Sequence, residues 1–395
     1  MTAAGMRGEH VRRSNLSTVL RQVHASPRTR SQLSETTGLT RTAIASLVAT
    51  LVEAGLVRED DSAERSGPGR PSPVVSVNTT NVAIAVEIAA DSVAVAAVSL
   101  DGSILAIDRV PRSRQRSSVE DVVHALHGLA SSVMAGLGGS LDVLGIGVAV
   151  AGVVDPVAGR VVVAPNIGWR DVPLRDLVSE AVEHRWPVGI ANEADLGMLA
   201  ECERGAAVGR RHVVYISGEA GVGGGVLVDG VPLRGIAGFA GELGHIPVHP
   251  DGGRCRCGAQ GCWETEVGEA AVLRRSGSRR SGGRRALDAV LTRAADGDAV
   301  ALDALHETGR WLGVGLAGLV NLLNPELVVL GGFFAEAFEH LQPAVLDELD
   351  ARALSATRGA VTVVPAALGI DAALIGAAEL GFETVLADPV GSARR

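Results

Sequence analysis

Residues 242–264 read Glu-Leu-Gly-His-Ile-Pro-Val-His-Pro-Asp-Gly-Gly-Arg-Cys-Arg-Cys-Gly-Ala-Gln-Gly-Cys-Trp-Glu, and no other segment restricts the fold as tightly. Three of the four cysteines in 395 residues, Cys255, Cys257 and Cys262, fall within eight positions, with His245 ten residues upstream. Three thiolates and an imidazole supply the four soft and borderline ligands that a tetrahedral Zn²⁺ site needs. Gly252, Gly253, Gly258 and Gly261 let the chain turn tightly enough to gather them. A closed set of four protein ligands is the pattern of structural rather than catalytic zinc. The plainer alternative is a cysteine-bearing loop in which His245 is simply a satisfied side chain.

A chain this long exceeds a single core and predicts two or three domains. Its 47% hydrophobic residues and 50 glycines suit an α/β protein rich in short turns. Residues 1–15 hold no apolar h-region, and no apolar run approaches the length of about 18 residues that a membrane span requires. Signal peptide and transmembrane helix are therefore not expected. Clustered cysteines without such a signal are expected as reduced thiols on metal in the cytoplasm, not as disulfides. Cys202, in a helical pattern, reads as a small buried side chain.

Charge is distributed unevenly. Residues 1–75 hold ten Arg against seven Asp plus Glu, a net +3, which leaves −12 for the remainder of a chain whose total is −9. A mildly basic small part joined to an acidic large one is compatible with nucleic-acid binding at one end. Local patterns agree. Leu16, Val19, Leu20 and Val23 recur at helical spacing in 13–25, with Ser14 as a candidate cap. A short helix over 31–38 ends at Gly38, and Thr40 caps a longer one over 41–54. That helix turns Ile44, Leu47, Val48, Leu51 and Val52 inward and stops at Gly55.

Two helices across a glycine-containing turn form a helix-turn-helix. Its second helix would offer Thr40, Arg41, Thr42 and Ser46 to a major groove. Alternation in 56–58 and 74–77 predicts two strands, and Gly67-Pro68-Gly69-Arg70-Pro71 between them holds Arg70 on an extended, narrow tip suited to a minor groove. The alternative is a small helical bundle with an ordinary loop. A linker is expected near 76–81.

From residue 82, strand-like and helix-like segments alternate, as α/β layers require. Strands are expected at 82–86, 93–100 and 143–150, and helices at 119–134 and 372–386. Residues 274–285 (RRSGSRRSGGRR) carry six arginines spaced by Ser and Gly, read as a flexible, solvated loop in preference to a phosphate contact.

The 242–264 segment resembles the signature of the ROK family (repressors, open reading frames and sugar kinases), Glu-x-Gly-His followed by Cys-x-Cys-Gly-x-x-Gly-Cys-x-Glu. Glu242, Gly244, His245, Cys255, Cys257, Gly258, Gly261, Cys262 and Glu264 match it. The resemblance implies a winged helix-turn-helix over 1–77 and a ROK body over 78–395. That body is expected to be two-lobed, with an actin-like, RNase H-like α/β fold. Its small lobe would span about 82–190 plus the helix 372–386, and its large lobe about 191–371. It also implies that Glu242, His245 and Glu264 hydrogen-bond sugar hydroxyls, with His245 on the metal too. Asn166 in 166–169 (NIGW) and Gly152 in 147–155 (GVAVAGVVD) resemble two further loops round the same site.

Kinases of the family open with Asp-x-Gly-Gly-Thr, where this chain has Glu87-Ile88-Ala89-Ala90-Asp91. Their second phosphate loop, Gly-Thr-Gly-x-Gly-Gly-Gly, is here Glu219-Ala220-Gly221-Val222-Gly223-Gly224-Gly225. One acid about 4 Å from a phosphate costs about 4 kcal/mol at an effective dielectric near 20. The catalytic Asn-Asp-Ala-Asn is Asn192-Glu193-Ala194-Asp195. Glu193 lengthens the arm by a methylene, and misplacement near 1 Å costs on the order of 10²-fold in rate. Asn192 and Glu193 could still accept from a sugar, or serve only as a helix cap and first-turn acid. Residues 319–332 resemble the family's adenosine-side segment, read here as retained architecture.

The expected function is that of a sugar-responsive DNA-binding regulator, most simply a repressor, binding a double-stranded operator as a homodimer or homotetramer. The alternative is an ATP-dependent sugar kinase carrying a DNA-binding module. A third reading, a constitutive DNA-binding protein with a dead pocket, also remains.

Overall fold

The computed structural model describes residues 3–60, 73–112, 118–137, 141–279 and 283–392. Helix Ala3–Ala25 buries Leu16, Val19, Leu20 and Val23, the four positions expected from periodicity. It starts well ahead of Ser14, which is therefore mid-helix and not a cap; its carbonyl accepts from Thr18 Oγ1 at 3.0 Å. Residues 8–14 are exposed, so those turns carry no apolar stripe by which to be recognised.

Thr29 opens helix Arg30–Thr37 with a reciprocal capping box to Gln32, and Gly38 closes it at φ 70°. Thr40 caps helix Arg41–Glu53 by accepting from Ala43 N. Ile44, Leu47, Val48 and Leu51 are buried, but Val52 is 41% exposed because it lies one step round the helix from the apolar stripe. Strands Val57–Asp60 and Val74–Val77 pair antiparallel, and Arg28–Thr29 adds to the far side of Val74–Val77. Arg70 lies outside the described residues. The expected linker is a strand end followed by a hydrogen-bonded turn: Asn78 and Asn81 both donate their side-chain amides to Gly55 O at 2.9 Å.

Two five-stranded sheets with the same connectivity follow. Asn81–Ile88, Ser92–Ser99 and Ile104–Pro111 form an antiparallel meander; Asp142–Val150 and then Val188–Asn192 add in parallel beside the first strand. The second sheet repeats this with Val213–Gly218, Val222–Val228 and Val231–Pro232, then Leu327–Gly332 and Thr362–Pro365. This duplicated order is the RNase H-like, actin-like α/β fold. Parallel additions need helical crossovers, supplied by Val119–Gly136 in the first half and Ala299–Leu323 in the second.

Helix Ala372–Ala387 packs back onto the first sheet. Gly145 and Gly147 of strand Asp142–Val150 face its main chain at Gly381 and Ala377, and Gly376 faces the Leu196 carbonyl of helix Glu193–Arg204. A Cβ at Gly145, Gly147 or Gly376 would overlap a main-chain oxygen. The same helix shares one apolar cluster with the N-terminal module, through Leu374, Phe382 and Leu386 against residues such as Leu16 and Leu20. Ser17 Oγ donates to Leu386 O at 2.6 Å.

The arginine run is not a free loop along its whole length. Arg274 and Arg275 end helix Glu269–Arg275, and Arg284 and Arg285 open helix Gly283–Ala295. Arg275 donates to Glu266 at 2.9 Å and Arg284 pairs with Asp288 and Glu336, so ion pairs order both flanks; residues 280–282 lie outside the described residues. Among the described residues no helix is long and apolar enough to cross a membrane.

Glu201, 1% exposed, accepts from the main-chain N–H groups of Ala206, Ala367 and Leu368 at 2.7, 3.1 and 2.8 Å. Glu201→Ala strands three donors and is expected to lower unfolding free energy by about 3 kcal/mol in urea titrations.

Candidate metal centre and ligand cleft

The turn Leu243–His245 follows Glu242, and the loop after it folds back so that Pro247 bridges Cys262 and Arg254 bridges Gln260. One ligand atom from each of His245, Cys255, Cys257 and Cys262 lies within 4.8 Å of all the others. Cys255 Sγ is 3.7 Å from His245 Nδ1, and Cys257 Sγ is 3.7 Å from Cys262 Sγ. A tetrahedron with metal–sulfur arms of about 2.3 Å has edges of about 3.8 Å. Two edges of the cluster match that spacing and the rest are bounded by 4.8 Å, so these four residues could hold a metal ion. His245 presents Nδ1 to the cluster, while its Nε2 faces Glu242 at 3.9 Å, the usual place for a carboxylate behind a ligating imidazole.

The loop is braced from behind. His249 stacks on Trp311 at 4.8 Å and lies 3.1 Å from Glu266, which also takes Arg275. Trp263 is fully buried and donates from Nε1 to Trp311 O at 2.8 Å.

Beside the loop, a cleft is lined by residues that include Val153, Val154, Asn192, Asp195, Phe239 and Glu242. Asn192 is the N-cap of helix Glu193–Arg204: its Oδ1 accepts from Ala194 N and Asp195 N, and its Nδ2 donates to Gly152 O at 2.8 Å. The capping alternative thus holds for Asn192, leaving one amide hydrogen for a ligand. Gly152, at φ 148°, packs against Ala164 and Val163 O, so the close approach it permits is to protein backbone. Burial pushes the Asp195 carboxyl up to about 7; Arg234 opposes this and Glu242 adds to it. Glu242 is also raised, by burial first, against the pull of His245 and with a push from Glu264.

Glu264 and Asn166 lie together beside the metal loop, outside that lining. Glu264 accepts from Val222 N at 3.1 Å and from Cys255 Sγ at 3.5 Å. Asn166 accepts from Arg256 at 2.8 Å, and both Asn166 and Glu264 border Gly221. Glu193 goes elsewhere. It joins an acidic group with Glu219, Glu87 and Asp91, and its carboxyl is raised well above the usual range by burial and then by those charges. Glu219 lies against Gly332 and is pushed up to about 8 by burial and Glu87. Glu87, raised to about 6 by burial, is partly compensated by Arg109 at 2.9 Å, which also reaches Asp371 at 3.1 Å.

In the N-terminal module Thr40, Arg41, Thr42 and Ser46 are all exposed at the start of helix Arg41–Glu53, with the Thr40 hydroxyl engaged as its cap. The sequence reading missed Asp195 as a cleft group and Arg256 as the partner of Asn166. Asp195 was legible, since it stands three residues after Asn192 on the same helical face. Arg256 was not, because Asn166 lies 90 residues away.

Residues 83–383 match the ROK family model, and residues 17–66 match a MarR family model. The chain is 29% identical over 384 residues to the xylose repressor of Bacillus subtilis, covering 95% of this chain and 97% of that one. A crystal structure of a ROK family transcriptional regulator, described as a homolog of the E. coli MLC protein, has a TM-score of 0.79 at 25% identity. It covers 98% of this chain and 100% of that one. A ROK family glucokinase from Streptomyces griseus, solved with glucose and AMPPNP, has a TM-score of 0.68 at 30% identity, over 76% of this chain and 99% of that one. Fold and site together define a winged helix joined to a sugar-kinase-like body. The chain belongs to the ROK family.

An acid whose folded pKa is raised loses stability as pH climbs from its unfolded value to its folded one. Asp195 should therefore destabilise the protein progressively from about pH 4 to about pH 7. Asp195→Asn is expected to flatten that part of the wild-type stability–pH curve and to be the more stable form at pH 8, read by chemical denaturation.

Proposed function

We propose that this protein is a sugar-responsive transcriptional regulator, a repressor whose operator affinity changes when a sugar or sugar derivative occupies the cleft. The observation that carries this reading is the joining, in one chain, of an exposed recognition-helix face to a ROK body with a carboxylate-lined cleft. A relative matched over almost its whole length is named a xylose repressor, which supports the regulator class. We read 1–77 as the DNA-binding part and 78–395 as the sugar-binding part. The small lobe is about 82–190 with 372–386, and the large lobe about 191–371.

Thr40, Arg41, Thr42 and Ser46 would contact base edges and phosphates in the major groove, with Arg70 in the minor groove. Glu242, His245, Glu264, Asn166 and Asn192 are the groups we assign to sugar hydroxyls; Glu193 would contribute only by turning from its acidic neighbours. Zn²⁺ held by His245, Cys255, Cys257 and Cys262 would be structural, and its chemistry there is to lock the loop that carries Glu242 and Glu264. Two-fold operators call for a homodimer or homotetramer, and a regulator of this kind works in the cytoplasm.

The kinase alternative meets an obstacle in the cleft. Asp91 and Glu219 stand where the phosphate turns of the family's kinases carry Thr and Gly, and Glu87 and Glu193 add to the same acidic group, with Arg109 acting on Glu87 and Arg284 on Glu219. A phosphate brought beside them would add like charge to groups whose ionised forms are already disfavoured by burial and by one another. We therefore read the body as a sensor and not as an enzyme.

Calorimetry with D-xylose and D-glucose, with and without ATP and Mg²⁺, tests this. Sugar binding without nucleotide binding or turnover is expected, and ATP-dependent phosphorylation would overturn the sensor reading. Purified protein is expected to hold one zinc per chain by elemental analysis. Cys257→Ser should lose both the metal and sugar binding; full binding by metal-free protein would separate the two. Arg41→Ala should weaken operator binding and flatten its salt dependence by about one phosphate contact.

A further inference from the structure

Helix Glu193–Arg204 starts at the cleft with its cap Asn192 and ends, 12 residues and about 18 Å further on, at Arg204. Arg204 Nε donates to Glu379 Oε1 at 2.6 Å. The other oxygen of the same carboxylate lies 2.6 Å from His24 Nε2. His24 sits in the last turn of helix Ala3–Ala25 in the N-terminal module, and Glu379 is midway along helix Ala372–Ala387. Three elements, from the cleft, the body and the DNA-binding module, thus meet at one carboxylate that is 5% exposed.

The charge state follows from the surroundings. Burial would raise the Glu379 carboxyl, but hydrogen bonding and charge from His24 and Arg204 outweigh burial and hold it below the usual range. The ionised carboxylate accepts from both partners, so His24 carries its proton on Nε2. Arg204 Nη2 lies between the two ring nitrogens, 3.4 Å from His24 Nδ1, which is the one able to accept when Nε2 carries the proton. The remaining guanidinium hydrogens go to Asp101 O at 2.7 Å and Leu100 O at 3.3 Å.

The arrangement has little slack. Gly376 puts helix Ala372–Ala387 directly on the Leu196 carbonyl, and Glu201 ties the end of helix Glu193–Arg204 to the main chain at Ala367 and Leu368. Pulling Arg204 or His24 from Glu379 would strand a buried charge, which costs far more than a rigid-body tilt of the module. By contrast, Arg21–Glu383, the neighbouring pair across the same contact, is exposed and can yield.

We propose that Glu379 is the joint through which the cleft sets the orientation of the DNA-binding module, with Arg204 and His24 as its two arms. All three are positioning residues, since none touches the cleft or the DNA-contacting face. The inference rests on the regulator reading above for the nature of the signal, but its mechanics can be tested without any sugar.

Duplexes that bind the wild-type protein are first selected from a random pool, and operator affinity is then measured by fluorescence anisotropy at fixed salt. Asn192→Ala, which removes the helix cap at the cleft end, is expected to change wild-type operator affinity about fivefold or more. In a Glu379→Gln background the same substitution should change it less than about twofold, the range expected of uncoupled sites. His24→Gln gives a second background should Glu379→Gln fail to fold. Arg204→Lys, which keeps the ion pair, should retain the coupling that Arg204→Ala loses. An equal change in both backgrounds, or no change from Asn192→Ala in the wild type, would overturn the joint. A parallel arm adds D-xylose or D-glucose. If either shifts wild-type operator affinity, Glu379→Gln should abolish the shift while calorimetric sugar affinity stays within about twofold. If neither shifts it, the sugar-sensor reading fails while the double-mutant cycle still decides the joint.

Discussion

Gly147 and Gly376 let helix Ala372–Ala387 lie main chain against main chain with a strand on one side and a helix on the other. Much else in the molecule depends on that seating. Because no side chain separates the elements, the strand that leads to the cleft at Val150, the helix that leaves it at Glu193 and the returning helix behave as one packed unit. The N-terminal module is built onto the outer face of that unit. Its core is continuous with the body's through Leu16, Leu20, Leu374 and Phe382, so it is not a bead on a string. Interiors packed this closely transmit displacement in place of absorbing it.

The metal loop supports the cleft from the opposite side. Four candidate ligand atoms lie within 4.8 Å of one another, and the loop is held against helix Ala299–Leu323 by Trp263, by His249 and by Arg275, which joins Glu266 to Thr308. Glu242 and Glu264, two carboxylates of the cleft region, flank the ligands in the chain. A metal held there would tie their positions to a cross-link. The cleft ends in two different chemistries. Toward the loop, acids are mixed with His245, Arg256 and Asn166, which can make a hydrogen-bonding surface for hydroxyls. Away from it, burial shifts Glu193 and Glu219 toward the neutral form, and neighbouring acids add to the shift.

Much of this was legible in the sequence, for local reasons. The His/Cys cluster was visible because Cys255, Cys257 and Cys262 crowd into one loop, and the helix-turn-helix because Thr40 and Gly38 are cap residues at the expected ends. Asn192 showed both its readings, and the cap is the one the fold uses. Ser14 failed as a helix start because the turns before it face solvent and carry no apolar period. Residues 76–81, expected as a linker, are a strand end and a turn in which the amides of Asn78 and Asn81 meet Gly55 O, a partner in another part of the chain.

The sequence by itself determined element types, the clustering of His245 with three cysteines and the exposed face of helix Arg41–Glu53, since spacing and capping act over a few residues. Tertiary structure alone decided which distant groups became neighbours. Glu193 was drawn into an acidic cluster with Glu87 and Glu219, Arg256 was brought to Asn166, and His24, Arg204 and Glu379 were gathered at one buried carboxylate. Those encounters are set by how sheets and helices pack, and the residues involved are too far apart in the chain for any local spacing to announce them.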